Sequence, residues 1–422
     1  MKGKGNLIVL GVTVLMVVAL ICGACAKAPP PEVPPVAPPE APPAAPPEAP
    51  PEAPPEAPAP NEPVVDEWVI PSLQSVTGIF AWYGEEEVWT IQQAVKDINA
   101  AGGVRGRPMR IEVYEAGETA AQTLAQLGRI LDTKPLVIDR ASYEAPLTCP
   151  MIYDEEVLVI NVSASTLEQD PYRPWALALI AKDEVVYKPG PIQWIKEHPE
   201  IKTVVSLADP VRTTYVEGNE YQREALAEIG VEMLANIEVP ETTNYGPVAV
   251  KALSYEADGY IMTILSDATA KVITEMDKRG FTDKEHILIF ITADAPELYE
   301  VGGEFLNGCY VWNIDNPFVD NPRWLDLVET YKAERPDPGI PSWNVPMSYD
   351  AVWLIAEAIE NCKITGDPAK LKEERIAIRD YCYNCTFDGV QYPRTIVDGY
   401  PEPLVFLFQI QNGEKVFVAK CE

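Results

Sequence analysis

Apolar residues after Trp68 recur in blocks that switch between two periods, and the first such block sets the pattern for the chain. Trp68 to Leu73 is a short apolar run that ends in Ser75, Thr77 and Gly78, which reads as a strand and its exit loop. Val88, Ile91, Val95 and Ile98 follow at the helical spacing and predict a helix beginning near Glu85. Glu85, Glu86 and Glu87 would then occupy its first turn, where acidic side chains complement the positive end of the helix dipole. Gly102 and Gly103 stop it, because glycine takes a left-handed conformation at low cost. Met109 to Tyr114 alternates as a second strand, which completes a βαβ unit. In open α/β sheets the ligand crevice lies beyond the carboxyl ends of the strands, so Thr77, Gly78, Trp82 and Tyr83 are expected to face a ligand.

The same alternation continues to the end of the chain. Thr123, Leu127, Ile130 and Leu131 give an amphipathic helix, and Leu136 to Ile138 and Val157 to Ile160 read as buried strands. Further strands are expected at Thr203 to Leu207, Val231 to Ile237, Tyr260 to Ile264, Ile287 to Ile291 and Cys309 to Trp312, with helical patterns between them. A late helix is expected over Met347 to Asn361, with Trp343 and Asn344 before it near a cleft rim. Leu404 to Val418 reads as a final hairpin turning at Asn412-Gly413.

The first 66 residues differ in kind. Residues 1–25 carry Lys2 and Lys4, an apolar run from Leu7 to Ile21 and the small residues Gly23 and Ala24, the pattern of an export signal. Cys22-Gly23-Ala24-Cys25 resembles a lipoprotein processing site, with Cys25 the expected lipid anchor and cleavage before Cys22 the other reading. Residues 26–66 are a Pro/Glu/Ala-rich tether that supplies much of the chain's 42 prolines. Its polyproline II form, at about 3.1 Å per residue, would hold a domain on the order of 100 Å from a membrane. A proline-rich docking ligand fits less well, because no basic residue flanks the repeat after Lys27. The formal net charge of -31 argues against nucleic acid or an anionic membrane surface as partner, since both would repel it.

Candidate chemistry is sparse. His198 and His286 are the two histidines, and their charged neighbours and helix-end positions predict surface residues. No nucleophile and base pair, Walker loop or clustered metal-ligand spacing occurs, so neither a cofactor, a metal nor catalysis is expected. Cys382 and Cys385 have the C-x-x-C spacing, but with Cys149, Cys309, Cys362 and Cys421 in an exported chain, disulfides explain them better than redox chemistry.

The strings TGIFAWYG and AVKDINAAGGVRGR, in that order, resemble the opening of the type I periplasmic binding proteins that serve branched-chain amino acid ABC transporters, and the likeness runs loosely from Val69 to Val418. It implies an α/β fold of two Rossmann-like lobes joined by a three-strand hinge. Residues 67–186 and 315–397 would form lobe 1, and residues 187–314 and 398–422 lobe 2. In the family's two ligand loops the matching positions are Ser142, Ser163 and Ser165, whose hydroxyls and neighbouring amides would hold a ligand carboxylate. Asp139-Arg140 replaces the family's Gly-Pro, and Arg140 is either a carboxylate clamp or half of a surface ion pair with Asp139. Tyr215 matches the tyrosine that closes over the ligand, and Asp294 the acid that receives its ammonium; if Asp294 only enters a helix, the amine reading weakens. The implied protein is an extracytoplasmic, lipid-anchored solute-binding protein that delivers a branched-chain or hydrophobic amino acid to an ABC permease. An aliphatic or aromatic carboxylic acid is the alternative ligand, and a sensor of the same fold the alternative role.

Overall fold

The computed structural model describes residues 62–78, 81–140, 145–162, 169–240, 244–335 and 341–422, all within one compact unit, Ala57–Glu422. Cys25, the tether up to residue 61, and Ser142, Ser163 and Ser165 lie outside the described residues.

Two sheets organise the chain, and they share one strand order. In the first, β1 (Trp68–Gln74) pairs in parallel with β2 (Met109–Glu115), while β3 (Val137–Ile138), β4 (Leu158–Asn161) and β5 (Ala176–Ala178) form a parallel set. The Asp139 amide donates to the Pro71 carbonyl at 3.1 Å and the Leu73 amide to the Arg140 carbonyl at 3.0 Å, which joins β1 to the end of β3. The resulting order is β2-β1-β3-β4-β5. The second sheet contains β6 (Thr203–Ala208), β7 (Glu232–Glu238), β8 (Gly259–Thr263), β9 (Ile287–Ile289) and β10 (Tyr310–Asn313), in the parallel order β7-β6-β8-β9-β10. Both are doubly wound arrangements in which the order reverses beside the first strand, and such a switch point opens a crevice at the carboxyl ends of the strands.

A small antiparallel sheet, β11 (Cys385–Asp388), β12 (Pro393–Val397) and β13 (Tyr400–Pro401), precedes the last pair. β14 (Phe406–Gln411) then adds antiparallel to β10, and β15 (Glu414–Lys420) to β14, through the turn at Asn412 and Gly413. The chain therefore leaves the first sheet between β5 and β6, leaves the second after β10, and re-enters the second at β14.

Aromatic packing anchors the first of these passages. Tyr187 stacks on Phe290 at 4.9 Å between centroids, and Phe290 meets Trp312 edge-on at 4.9 Å. Gly190 and Gly218 lie where a Cβ would overlap the Trp312 and Tyr187 rings, so the backbone must approach these side chains closely.

Several expectations need correction. The first long helix is Ala81–Ala100, not one beginning near Glu85, which moves Trp82 and Tyr83 from a loop into its first turn. Gly84 permits this start, since a Cβ there would overlap the Ser75 carbonyl at the end of β1. Glu86 and Glu87 consequently fall in the second turn and face inward, both fully buried, with protein partners in place of the dipole and water. Arg140 is buried too, at 1% exposure, and pairs with Glu87 rather than forming a surface pair with Asp139.

The two histidines form the third correction: His198 is buried and lies against His286, because the helix end and the turn that carry them meet at the base of the second sheet. The late helix is the fourth, running Asn344–Asn361 and buried on most of its circumference against the Ala81–Ala100 helix. Cys309, Cys362, Cys382, Cys385 and Cys421 are thiols in the structure, so the expected disulfides do not link these five. Burial pushes the Cys309 and Cys421 thiols up to about 12, as for small apolar side chains packed in a core. Among the described residues no helix is long and apolar enough to cross a membrane.

Candidate functional site

A cavity of about 280 Å³ opens where the first turn of the Ala81–Ala100 helix faces the carboxyl end of the second sheet. Trp82 and Tyr83 form one wall. The other comes from loops that leave successive strands: Asp209 and Arg212 after β6, Val239 and Pro240 after β7, and Ile264 to Ala268 after β8. Tyr245 and Glu297 complete it. Strand ends that fan out at a switch point leave such a space because the following helices depart to opposite faces.

One hydrogen bond crosses from the Trp82–Tyr83 side to the second sheet, and another steadies its acceptor residue. The Tyr83 hydroxyl donates to the Thr292 carbonyl at 3.1 Å, and the Tyr215 hydroxyl to Thr292 Oγ1 at 2.6 Å. Trp82 packs edge-on against Tyr83 at 5.0 Å, and Trp343 lies 6.4 Å from Tyr83 on its other side. Burial raises the Tyr83 phenol well above its ordinary range, with Tyr215 and Asp294 adding to the effect, and burial also raises Tyr215. Both hydroxyls therefore stay protonated and act as donors.

Buried charge surrounds this wall. Glu86 accepts from the Tyr331 hydroxyl at 2.7 Å and from the Ser342 amide at 3.1 Å, and burial raises its pKa against those bonds. That contact ties the first helix to the segment that carries Trp343. Asp294 is 5% exposed and accepts from Tyr299 OH at 2.6 Å, Asn313 Nδ2 at 2.7 Å and Lys415 Nζ at 2.5 Å. Burial works against the Lys415 ammonium, but Asp294 and Asp315 hold its pKa above the ordinary value.

Trp82 and Tyr83 thus line the cavity, whereas Tyr215 and Asp294 do not: Tyr215 meets Tyr83 through Thr292, and Asp294 is held by Tyr299, Asn313 and Lys415. Arg212 pairs with Asp209, and Asp267 with Lys271 at 2.7 Å. Sequence reasoning missed Arg212, Tyr245, Thr292 and Glu297 as site residues. Their position just past a strand end or at the head of the next helix was the available signal. Trp343 and Asn344 were placed at a rim, yet both are buried. The Trp343 Nε1 and both amide atoms of Asn344 have no hydrogen-bond partner among the described residues.

A family model described as "Periplasmic binding protein" matches residues 67–414. The chain belongs to the periplasmic binding protein family. This is a family of binding proteins rather than enzymes, and the match covers every residue that lines the cavity and all strands before β15. The Leu/Ile/Val-binding protein of Escherichia coli is 26% identical over 120 residues, 28% of this chain, and the chain spans about a third (33%) of that relative's length. A leucine-binding protein from Thermotoga maritima superposes with a TM-score of 0.70 at 21% identity, over 84% of this chain and 98% of its own. A solute-binding protein from Rhodopseudomonas palustris in complex with 3,4-dihydroxybenzoic acid gives a TM-score of 0.72 at 16% identity, over 84% and 97%. At these identities the periplasmic binding protein fold is what the solved structures share with this chain.

Proposed function

We propose that this periplasmic binding protein is an extracytoplasmic, lipid-anchored carrier that delivers a small apolar ligand bearing a carboxylate to an ABC importer. The observation that carries the reading is the aromatic-walled cavity between the Trp82–Tyr83 turn and the strand ends of the second sheet. A hinge of three chain passages allows the walls to part and close on a ligand. The ligand class we favour is the branched-chain or hydrophobic amino acid, with Trp82 and Tyr83 against its side chain. Ser142, Ser163 and Ser165, read from the family's ligand loops, would hold the carboxylate. Relatives named for leucine, isoleucine and valine support this class.

A specific observation favours a second ligand class. Lys415 already neutralises Asp294, the residue expected to receive an ammonium, which suits an aromatic or aliphatic carboxylic acid without one. For the amino acid class the remaining acceptor is Glu297 on the cavity wall, which has no cation within ion-pair distance among the described residues. A calorimetric panel that pairs each hydrophobic amino acid with its desamino acid tests both readings, on the wild type and on Asp294→Asn and Glu297→Gln. Loss of a charge-assisted bond to an ammonium should weaken binding by roughly 1.5 to 3 kcal/mol. Amino acids that bind no better than their desamino partners, with neither substitution mattering, would establish the carboxylic acid class. Sugars or polyamines binding in their place would sink both. The anchor is tested by Cys25→Ala, which should move the protein from the membrane to the soluble fraction; retention at the membrane would locate the anchor elsewhere.

A further inference from the structure

The chain's two histidines lie at the end of the second sheet opposite the cavity, and both point at one carboxylate. His198 caps the Pro189–Glu197 helix, and His286 sits in the turn just before β9. His198 Nδ1 and His286 Nε2 are each 3.1 Å from Glu200 Oε1, and the three donor atoms lie within 4.8 Å of one another. The cavity, by contrast, is built from residues that follow the carboxyl ends of β6, β7 and β8. The histidine cluster is therefore separated from it by the length of the sheet.

We propose that His198, Glu200 and His286 form a binding site for a divalent transition metal of the zinc class. Two imidazoles and a carboxylate are a ligand set that zinc takes with bonds of about 2.0 to 2.2 Å, and adjacent ligands of a tetrahedral zinc are about 3.3 Å apart. The two 3.1 Å separations are already near that spacing, so two edges of the ligand triangle need little movement. A second group outside the triangle also points to a metal. His286 turns its other nitrogen, Nδ1, toward Asp283 Oδ2 at 3.5 Å, which puts a carboxylate where an outer-shell partner orients a metal-bound imidazole once the contact closes to hydrogen-bond distance.

The surroundings hold these ligands in place. Tyr310 packs edge-on against the His198 ring at 5.0 Å, and Trp194 of the His198 helix donates its indole N–H to the Glu285 carbonyl at 3.0 Å, next to His286. Gly259 at the start of β8 lets that indole pass, because a Cβ there would meet it at 2.7 Å. Glu200 is 56% exposed in its side chain, which leaves solvent access for the ion and for a completing water. A protonated His286 donating from Nε2 to Glu200 and facing Asp283 with Nδ1 accounts for the same contacts without an ion, and it differs from the metal site in predicting no metal affinity.

The test uses the full chain after chelator treatment, titrated with zinc ion and, in parallel, with cobalt(II) ion. Saturable one-to-one binding is expected by calorimetry, with the visible absorption of tetrahedral cobalt and a zinc-dependent rise in melting temperature. His198→Ala and His286→Ala should abolish all three signals. Glu200→Gln, on an exposed side chain that leaves the fold intact, should abolish the melting shift while keeping the metal-free melting temperature. Asp283→Asn should weaken binding about 10- to 100-fold. Absence of saturable binding in the wild type, or binding unchanged in the two histidine variants and Glu200→Gln, would overturn the site. The second result would assign the affinity to thiols elsewhere in the chain.

Discussion

Tyr83 and Thr292 are 209 positions apart in the chain, yet the phenol of one donates to the carbonyl of the other at 3.1 Å. This bond runs from the first turn of the helix after β1 to the turn after β9, and so from one sheet to the other. Because Tyr215 holds the Thr292 hydroxyl at 2.6 Å, the acceptor carbonyl is fixed in place and not free to follow Tyr83. The bond thus helps to hold the two sheets together beside the cavity. Tyr83→Phe removes about 1 kcal/mol of that attachment, a roughly fivefold shift toward a parted arrangement. Small-angle scattering of the ligand-free variant should give a larger radius of gyration than the wild type. Coincident profiles would show that the contact contributes nothing to closure.

The Glu87–Arg140 pair makes a sharper demand on stability. Both side chains are almost completely removed from water, at 0% and 2% side-chain exposure. Removing one member leaves a buried charge without its main counterion, which typically costs about 3 to 5 kcal/mol. Arg140→Met should therefore lower the urea midpoint substantially. The double change Glu87→Leu with Arg140→Met, which removes both charges, should recover most of the loss. If the single and double variants unfold together, the pair acts through packing alone and its electrostatic role is disproved.

These two relationships also mark what the sequence could and could not say. The βαβ units, the fold class, the final hairpin turning at Asn412 and Gly413, and the cavity roles of Trp82 and Tyr83 follow from periodicity, from strand-end rules and from a family pattern spread over a long segment. Each of those signals is local or repeated. Arg140 and Glu87 are 53 positions apart and Asp294 and Lys415 are 121 apart, so nothing near either residue announces its partner. Adjacent Asp139 and Arg140 look like a surface pair because the chain's own neighbours are all that a sequence displays. The helix start failed for a related reason. Three consecutive glutamates look like exposed first-turn residues, and only the tertiary partners Tyr331, Ser342 and Arg140 allow two of them to be buried. The histidines were misplaced likewise, since His198 and His286 become neighbours only once the Trp194 indole and the Glu285 carbonyl bring helix and turn together.

Asp315 gives a prediction in which the sign of a pH effect decides the matter. The residue follows β10, is 1% exposed, and lies among Lys415, Asp294, Gln391 and Arg394. Burial is the largest influence and raises its pKa from 3.8 to about 6; Lys415, Gln391 and Arg394 pull it down, and Asp294 pushes it up. A carboxyl whose pKa is higher in the folded protein than in the unfolded chain keeps its proton longer when folded. The folded state therefore binds more protons between the two values, and stability falls as pH rises through that window. Its contribution is fully present below the unfolded value near 3.8 and is lost by the time pH passes about 6. At about 1.4 kcal/mol per pKa unit, the decline is roughly 3 kcal/mol. Asp139, also raised by burial to about 6, contributes a decline of the same sign that Asp315→Asn leaves intact. The decisive quantity is thus the difference between wild type and Asp315→Asn, measured by chemical denaturation from pH 4 to 7. The wild type should lose stability relative to the variant across the lower two units and run parallel to it above pH 6.5. Curves that stay parallel throughout would mean that Asp315 is ionised in the folded protein across the whole range, with Lys415 and Arg394 outweighing burial.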